Sequence, residues 1–149
     1  MRILIVCSSG GHLTQALALR SWWGNHERSW VTLPTEDARS RLADERMVEA
    51  HYPTVRNVPN LIRNFGLARH VLAAERPDLV FSTGAAIALP FFLQAGHFGA
   101  RTAFLEPVDR IASPSLSGLL VYPFADEILV QWPQLTKIYP DATRTGVVL

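Results

Sequence analysis

The sequence predicts an α/β fold built on a mostly parallel sheet with helices on both faces. Short apolar runs bounded by turn residues alternate along the chain with stretches of helical periodicity, the pattern of strands buried on both sides and joined by crossover helices. Two of those runs end directly in a glycine turn that opens a helix, at Ser8-Ser9-Gly10-Gly11-His12 and at Thr83-Gly84. With 149 residues, 48% of them hydrophobic and 18% charged, the chain can bury one core, and no linker, repeat or low-complexity tract divides it. Residues 1–149 therefore read as a single domain.

The first strand is Ile3 to Cys7, stopped by the Ser/Gly turn, and an amphipathic helix runs from Leu13 to Trp22-Trp23. Ser29 to Leu33, closed by Pro34, is the second strand; Glu36 to Leu42 is a short helix and Val48 to Tyr52 a weak third strand. Pro59, suited to a first helical turn, opens a long helix to Glu75 on which Leu61, Phe65, Ala68 and Leu72 share one face, with Arg63 and His70 opposite. Pro77-Asp78 introduces the strand Leu79 to Ser82, and a helix follows Gly84 from Ala85 or Ala86. Thr102 to Leu105 is the next strand, ending at Glu106-Pro107. Ser115 to Tyr122 is a helix, Glu127 to Gln131 a strand, and Gly146 to Leu149 a last strand at the terminus.

Charge and cysteine content narrow the partners. The formal net charge is +1 and no basic run tracks a phosphate backbone, so nucleic acid is not expected. A single cysteine, Cys7 in the first strand, excludes an internal disulfide and fits a reducing compartment. The longest apolar stretch, Ala85 to Leu93, is far short of the ~20 residues a spanning helix needs and contains Pro90. No signal peptide is expected, because Arg2 is followed by only five apolar residues before the Ser/Gly turn.

Adjacent glycines let backbone approach a ligand closely, and the free N–H groups at the start of the following helix favour an anion. The turn is neither a dinucleotide fingerprint, whose third glycine would fall at Leu13, nor a Walker loop, since no Gly-Lys-Ser/Thr follows. Spacing alone leaves two readings open, a phosphate site or a tight strand-to-helix packing turn. In open parallel sheets ligands lie beyond the carboxyl ends of the strands. The sequence puts Ser9 to His12, Ser82 to Gly84 and Glu106 to Arg110 there.

Three stretches stand in a familiar order: Cys7-Ser8-Ser9-Gly10-Gly11-His12-Leu13; Phe104-Leu105-Glu106 through Leu116-Ser117-Gly118; and Val130-Gln131-Trp132-Pro133 with Tyr139-Pro140 and Gly146-Val147-Val148. Together they resemble, over essentially the whole chain, the Alg-fourteen-like oligosaccharide biosynthesis family, the acceptor-binding subunits of bipartite glycosyltransferases. Ser82 to Pro90 is similar to the bacterial capsule and exopolysaccharide branch. The resemblance implies a Rossmann-like domain equivalent to the N-terminal lobe of a GT-B glycosyltransferase. It also implies a separate donor-binding subunit, a UDP-sugar donor, a lipid-diphosphate-linked saccharide acceptor, and peripheral attachment to the cytoplasmic face of the cell membrane. No cofactor and no metal are implied.

His12 and Glu106 are the catalytic candidates, His12 because the resemblance implies a place beside the acceptor diphosphate, where an imidazole can accept a hydroxyl proton or bond phosphate, Glu106 because a strand-end carboxylate can orient a sugar or act as base. Ser9, Gly10, Gly11, Thr83, Gly84, Asp109 and Arg110 are expected to bind substrate, Arg63 and Arg69 to meet anionic head groups, and Trp132 to sit in the partner interface. Each has a plainer reading: a capping histidine, a solvated Asp109/Arg110 pair, an ordinary half-buried helix, a core tryptophan. Two rival functions stand beside the first, a self-sufficient nucleotide or sugar-phosphate binding module and a homodimeric glycosyltransferase.

Overall fold

The computed structural model describes residues 1–148. Seven strands, β1 (Arg2–Cys7), β2 (Glu27–Thr32), β3 (Met47–Glu49), β4 (Leu79–Gly84), β5 (Arg101–Leu105), β6 (Glu127–Val130) and β7 (Thr143–Arg144), form one sheet in the order β3-β2-β1-β4-β5-β6-β7. Every neighbouring pair is parallel. The chain winds outward from β1 to β3, crosses back, and winds the other way from β4, so the order reverses between β1 and β4.

Helices α1 (Gly11–Ala18), α2 (Arg20–Trp23) and α3 (Glu36–Arg41) belong to the first winding and α4 (Val58–Glu75), α5 (Ala88–Ala95) and α6 (Leu116–Val121) to the second. Right-handed crossovers put the two sets on opposite faces. Leu13, Ala16, Trp23 and Ala38 pack with Ile3, Ile5, Trp30 and Phe81 on one face; Ala68, Leu72, Phe91 and Val121 pack with Leu4, Val6, Val80 and Phe104 on the other. One consequence is an incomplete cover. Over β4, β5 and β6 the first face carries Leu79, Phe81, Ala103 and Leu129, bordered by Leu19 and Trp22 around a groove of about 440 Å³.

The strand and helix order agrees with the sequence reading; the third strand is Met47–Glu49 rather than Val48 to Tyr52, and four further local features differ. The first helix breaks at Leu19, so Trp22 and Trp23 belong to the separate α2. β4 runs on through Thr83 and Gly84, and α5 starts only at Ala88. The last strand is Thr143–Arg144 rather than Gly146 to Leu149: Gly146 has φ +82°, which breaks extended backbone, and Leu149 lies outside the described residues.

The fourth difference is the buried face of α4. It consists of Asn60, Asn64, Ala68, Val71 and Leu72, while Leu61 and Phe65 are half-buried. Polar side chains are buried because the preceding loop needs partners. Asn64 accepts from the His51 N–H at 2.9 Å and donates to the His51 carbonyl at 3.1 Å, Asn60 donates to the Pro53 carbonyl at 2.9 Å, and Asn57 caps the helix through the Asn60 N–H. Three asparagines thus supply the backbone bonds that a strand neighbour would otherwise give. Replacing Asn64 by Ala should lower unfolding stability by about 1–3 kcal/mol, because both His51 groups lose their partner; a midpoint in urea unchanged from the parent would show that the clamp is not structural.

Candidate functional site

At the reversal point the carboxyl ends of β1 and β4 diverge, and open sheets bind ligands in that crevice. The register shows how. Val6 pairs with Ser82 and Cys7 with Gly84, so the ladder skips Thr83. A skipped residue keeps its backbone groups for other work. The Thr83 carbonyl accepts a hydrogen bond from His12 Nδ1 at 2.7 Å, and the Thr83 hydroxyl donates to the His12 carbonyl at 2.8 Å.

That reciprocal pair fixes the imidazole. A carbonyl oxygen cannot donate, so Nδ1 carries the proton and in the neutral ring Nε2 is left as a lone-pair acceptor. The glycine at 84 makes room: with φ +122°, a Cβ there would lie 2.8 Å from the His12 ring and 3.5 Å from Pro107. Turn, strand end and the loop after β5 therefore meet around His12.

Gly10 enters α1 with φ 72° and ψ −131°, a conformation only glycine holds without strain. Among the described residues no side chain caps α1, and its first turn has no acid, so the N–H groups of Gly11, His12 and Leu13 have no capping partner there. Ser8 and Ser9 are half-buried beside them. Arg41, on α3, donates to Thr14 Oγ1 at 3.0 Å beside that turn and is itself paired with Asp37 at 3.7 Å. Nothing in the sequence flagged Arg41, because only the fold brings it there. Cys7 is buried at the end of β1, where loss of solvent pushes its thiol up to about 12.

Two expected ligand contacts turn out to be internal. Thr83 is fully buried, so its side chain positions His12 instead of reaching outward. Glu106 is fully buried as well. Its carboxylate accepts from the Tyr139 hydroxyl at 2.6 Å and from the Ser115 N–H at 3.1 and 3.2 Å. A Cβ on Gly118 would overlap it, which is why glycine stands there on α6. Burial pushes the Glu106 carboxyl above its usual range, against the lowering effect of those hydrogen bonds, and pushes the Tyr139 phenol up as well. Glu106 is the anchor of the loop and does not line the crevice.

The same loop is held at three more points. Gln131 Nε2 donates to the Glu106 carbonyl at 2.9 Å and to Gln15 Oε1 at 3.0 Å, Gln15 accepts from the Val108 N–H at 3.3 Å, and the Trp132 indole donates to the Val108 carbonyl at 2.6 Å. Trp132 spends its only polar group inside the chain. Asp109 and Arg110 remain exposed at the loop tip, 4.0 Å apart, in a pair of little energetic weight.

Comparison with known proteins agrees with this architecture. The family model "Oligosaccharide biosynthesis protein Alg14 like" matches residues 38–148. UDP-N-acetylglucosamine transferase subunit ALG14 of Homo sapiens is 24% identical over 182 residues, covering 100% of this chain and 83% of the relative. Among solved structures, Acinetobacter baumannii MurG superposes with a TM-score of 0.79 at 17% identity, over 97% of this chain and 44% of that one. The lipopolysaccharide outer core galactosyltransferase WaaB superposes with a TM-score of 0.70 at 8% identity, over 96% and 43%. The chain spans less than half the length of either solved structure, and at these identities the likeness shows the fold.

The Glu106 carboxyl yields a pH prediction. Its folded value lies above its unfolded one, so the folded state holds the proton more tightly and stability falls as pH rises from the ordinary carboxylate range through the folded value. Glu106→Gln has no such ionisation and should flatten that part of the stability curve. Urea midpoints measured from pH 4 upward check this, and parallel curves for the two proteins would contradict it.

Proposed function

The chain belongs to the Alg14-like family of oligosaccharide biosynthesis proteins, and on that premise we propose that it is the acceptor-binding half of a two-polypeptide glycosyltransferase of polysaccharide biosynthesis. Its acceptor is a lipid-diphosphate-linked saccharide, and a second subunit holds a UDP-sugar. The observation that carries the reading is His12, locked by the Thr83 carbonyl with Nε2 as its proton-accepting nitrogen. The relatives support the division of labour: the human protein is named as a subunit, and MurG and WaaB carry this fold as less than half of a longer chain.

In this reading the acceptor diphosphate lies on the uncapped N–H groups of Gly11, His12 and Leu13, with Ser9, Gly10, Gly84 and Arg41 close by. An acceptor hydroxyl attacks the anomeric carbon of the donor sugar. The bond from that carbon to the nucleotide diphosphate breaks, its electron pair leaves with UDP, and the hydroxyl proton passes to His12 Nε2. Direct displacement inverts the anomeric centre. Asp109 and Arg110, exposed on the loop beside Pro107, contact the acceptor sugars.

The open sheet face over β4 to β6 is the docking surface for the second subunit. Parallel sheets are covered on both faces, ordinarily by helices, and over this stretch a groove stays open, apolar at Leu79, Phe81, Ala103 and Leu129 and rimmed by Asp78, Arg101 and Glu127. Its occupant is an amphipathic helix of the donor-binding subunit; Trp132, beyond the carboxyl end of β6 and bonded to Val108, does not line this groove. Attachment to the membrane is peripheral. No helix among the described residues is long and apolar enough to cross a bilayer, while Val58 and Ile62 on α4 and Leu116 on α6 are exposed beside the acid-free stretch that carries Arg56, Arg63 and Arg69.

Two experiments test this. Transfer from UDP-N-acetylglucosamine to a prenyl-diphosphate saccharide should require both polypeptides, and His12→Ala should reduce the rate by about 10²-fold or more without separating them. Transfer by this chain alone would overturn the split arrangement. Ala103→Glu, which puts a charge on the open sheet face, should abolish co-purification with the second subunit; retained association would place the interface elsewhere.

A further inference from the structure

A second groove, of about 380 Å³, lies between the start of α4 and α6, with Ala86 and Leu89 between them. Its size falls in the ~300–1,000 Å³ range of small-molecule sites. Val58 and Leu61 form one wall and Leu120 the other, and among the described residues the only charged one lining it is Arg56. We propose that this groove sheathes the first isoprenoid units of the lipid acceptor, the part of the tail next to the diphosphate. The inference rests on the acceptor-binding reading above and assigns the tail a site of its own.

Position argues for this occupant first. Ala86 follows directly on Ala85, whose N–H donates to Ser117 Oγ at 3.2 Å, and Ser117 also lines the groove. The groove therefore begins at the turn beside His12, where a diphosphate would sit. Ala85 has φ +80°, a conformation unfavourable for a non-glycine residue, so the backbone is held in this shape by its surroundings. Chain strained in this way at a strand end is a mark of a binding edge.

Chemistry argues for it second. The walls are apolar, and residues 51–74 hold no acid, so nothing along the α4 wall repels an anionic head group. Arg56 stands in the wall with φ 51°. One turn along from Val58 and Leu120, Ile62 and Leu116 are 65% and 73% exposed, so the walls continue as apolar surface. A ligand with an anionic head at one end and an apolar tail leading into a bilayer matches that gradient.

The test titrates the purified chain with three probes below their micelle concentrations: inorganic diphosphate, geranylgeranyl diphosphate, and hexadecyl diphosphate as a straight-chain control. Geranylgeranyl diphosphate should bind at least tenfold more tightly than diphosphate, a gain that burial of only about 60 Å² of apolar tail supplies. Ala86→Phe and Leu120→Trp, both at partly exposed positions, fill the groove and should each erase that gain while leaving the diphosphate affinity unchanged. Phe124→Glu, at an exposed apolar position away from the groove, should keep it. If diphosphate binds equally well with and without the tail, or if both filling variants keep the gain, the groove is not the tail site and the acceptor reading survives. Hexadecyl diphosphate binding as tightly as the isoprenoid would reassign the groove to a bilayer chain. Failure of both diphosphates to bind would overturn the turn as an anion site and the groove assignment with it.

Discussion

The skip at Thr83 is the constraint on which the crevice depends. β1 and β4 run parallel and in register until the ladder passes from Ser82 to Gly84. A regular ladder would engage the Thr83 carbonyl in the sheet, and His12 would lose the acceptor that fixes its proton on Nδ1. The bulge also sets the place where the strands part, and so where the crevice opens. Gly84 follows from the same geometry, because the imidazole occupies the space a side chain would fill. A single irregularity in strand pairing thus determines ring orientation, tautomer and access together.

A second network makes the third wall of the crevice rigid. The loop after β5 leaves the sheet at Glu106 and would be free to swing on its own. It is fastened by the buried carboxylate to Tyr139 and Ser115, and by Gln131, Gln15 and Trp132 to its own backbone. Burying a carboxyl without a cation is costly unless its oxygens are bonded. The protein meets that cost with two donors, the Tyr139 hydroxyl and the Ser115 N–H. Buried polar networks of this kind specify one loop conformation, where an apolar core would permit several.

Much of the fold was legible because its signals are local. Apolar runs, glycine turns and the Pro59 helix start lie within a few residues of what they determine. The misreadings share a cause: each depended on a partner distant in sequence. Glu106 looks like a strand-end carboxylate facing a cleft, and its inward turn is decided by Tyr139, 33 residues later. The buried face of α4 is predicted to run through Leu61 and Phe65, yet the loop backbone at Pro53 and His51 draws Asn60 and Asn64 inward. Arg41 carried no signal at all, since only the packing of α3 brings it to Thr14. Gln131 and Trp132 were visible as part of a motif, but their work as loop fasteners was not.

Cys7 offers a practical corollary. It is the only cysteine in the chain, it lies wholly out of solvent at the end of β1, and its thiol is held up at about 12. Thiolate is the reactive form, so at neutral pH the native protein is silent toward maleimides and alkylating agents. A cysteine introduced anywhere on the surface would be the only site to react. The molecule comes ready for single-position spin or fluorophore labelling, with no need to disturb the strand that carries its site.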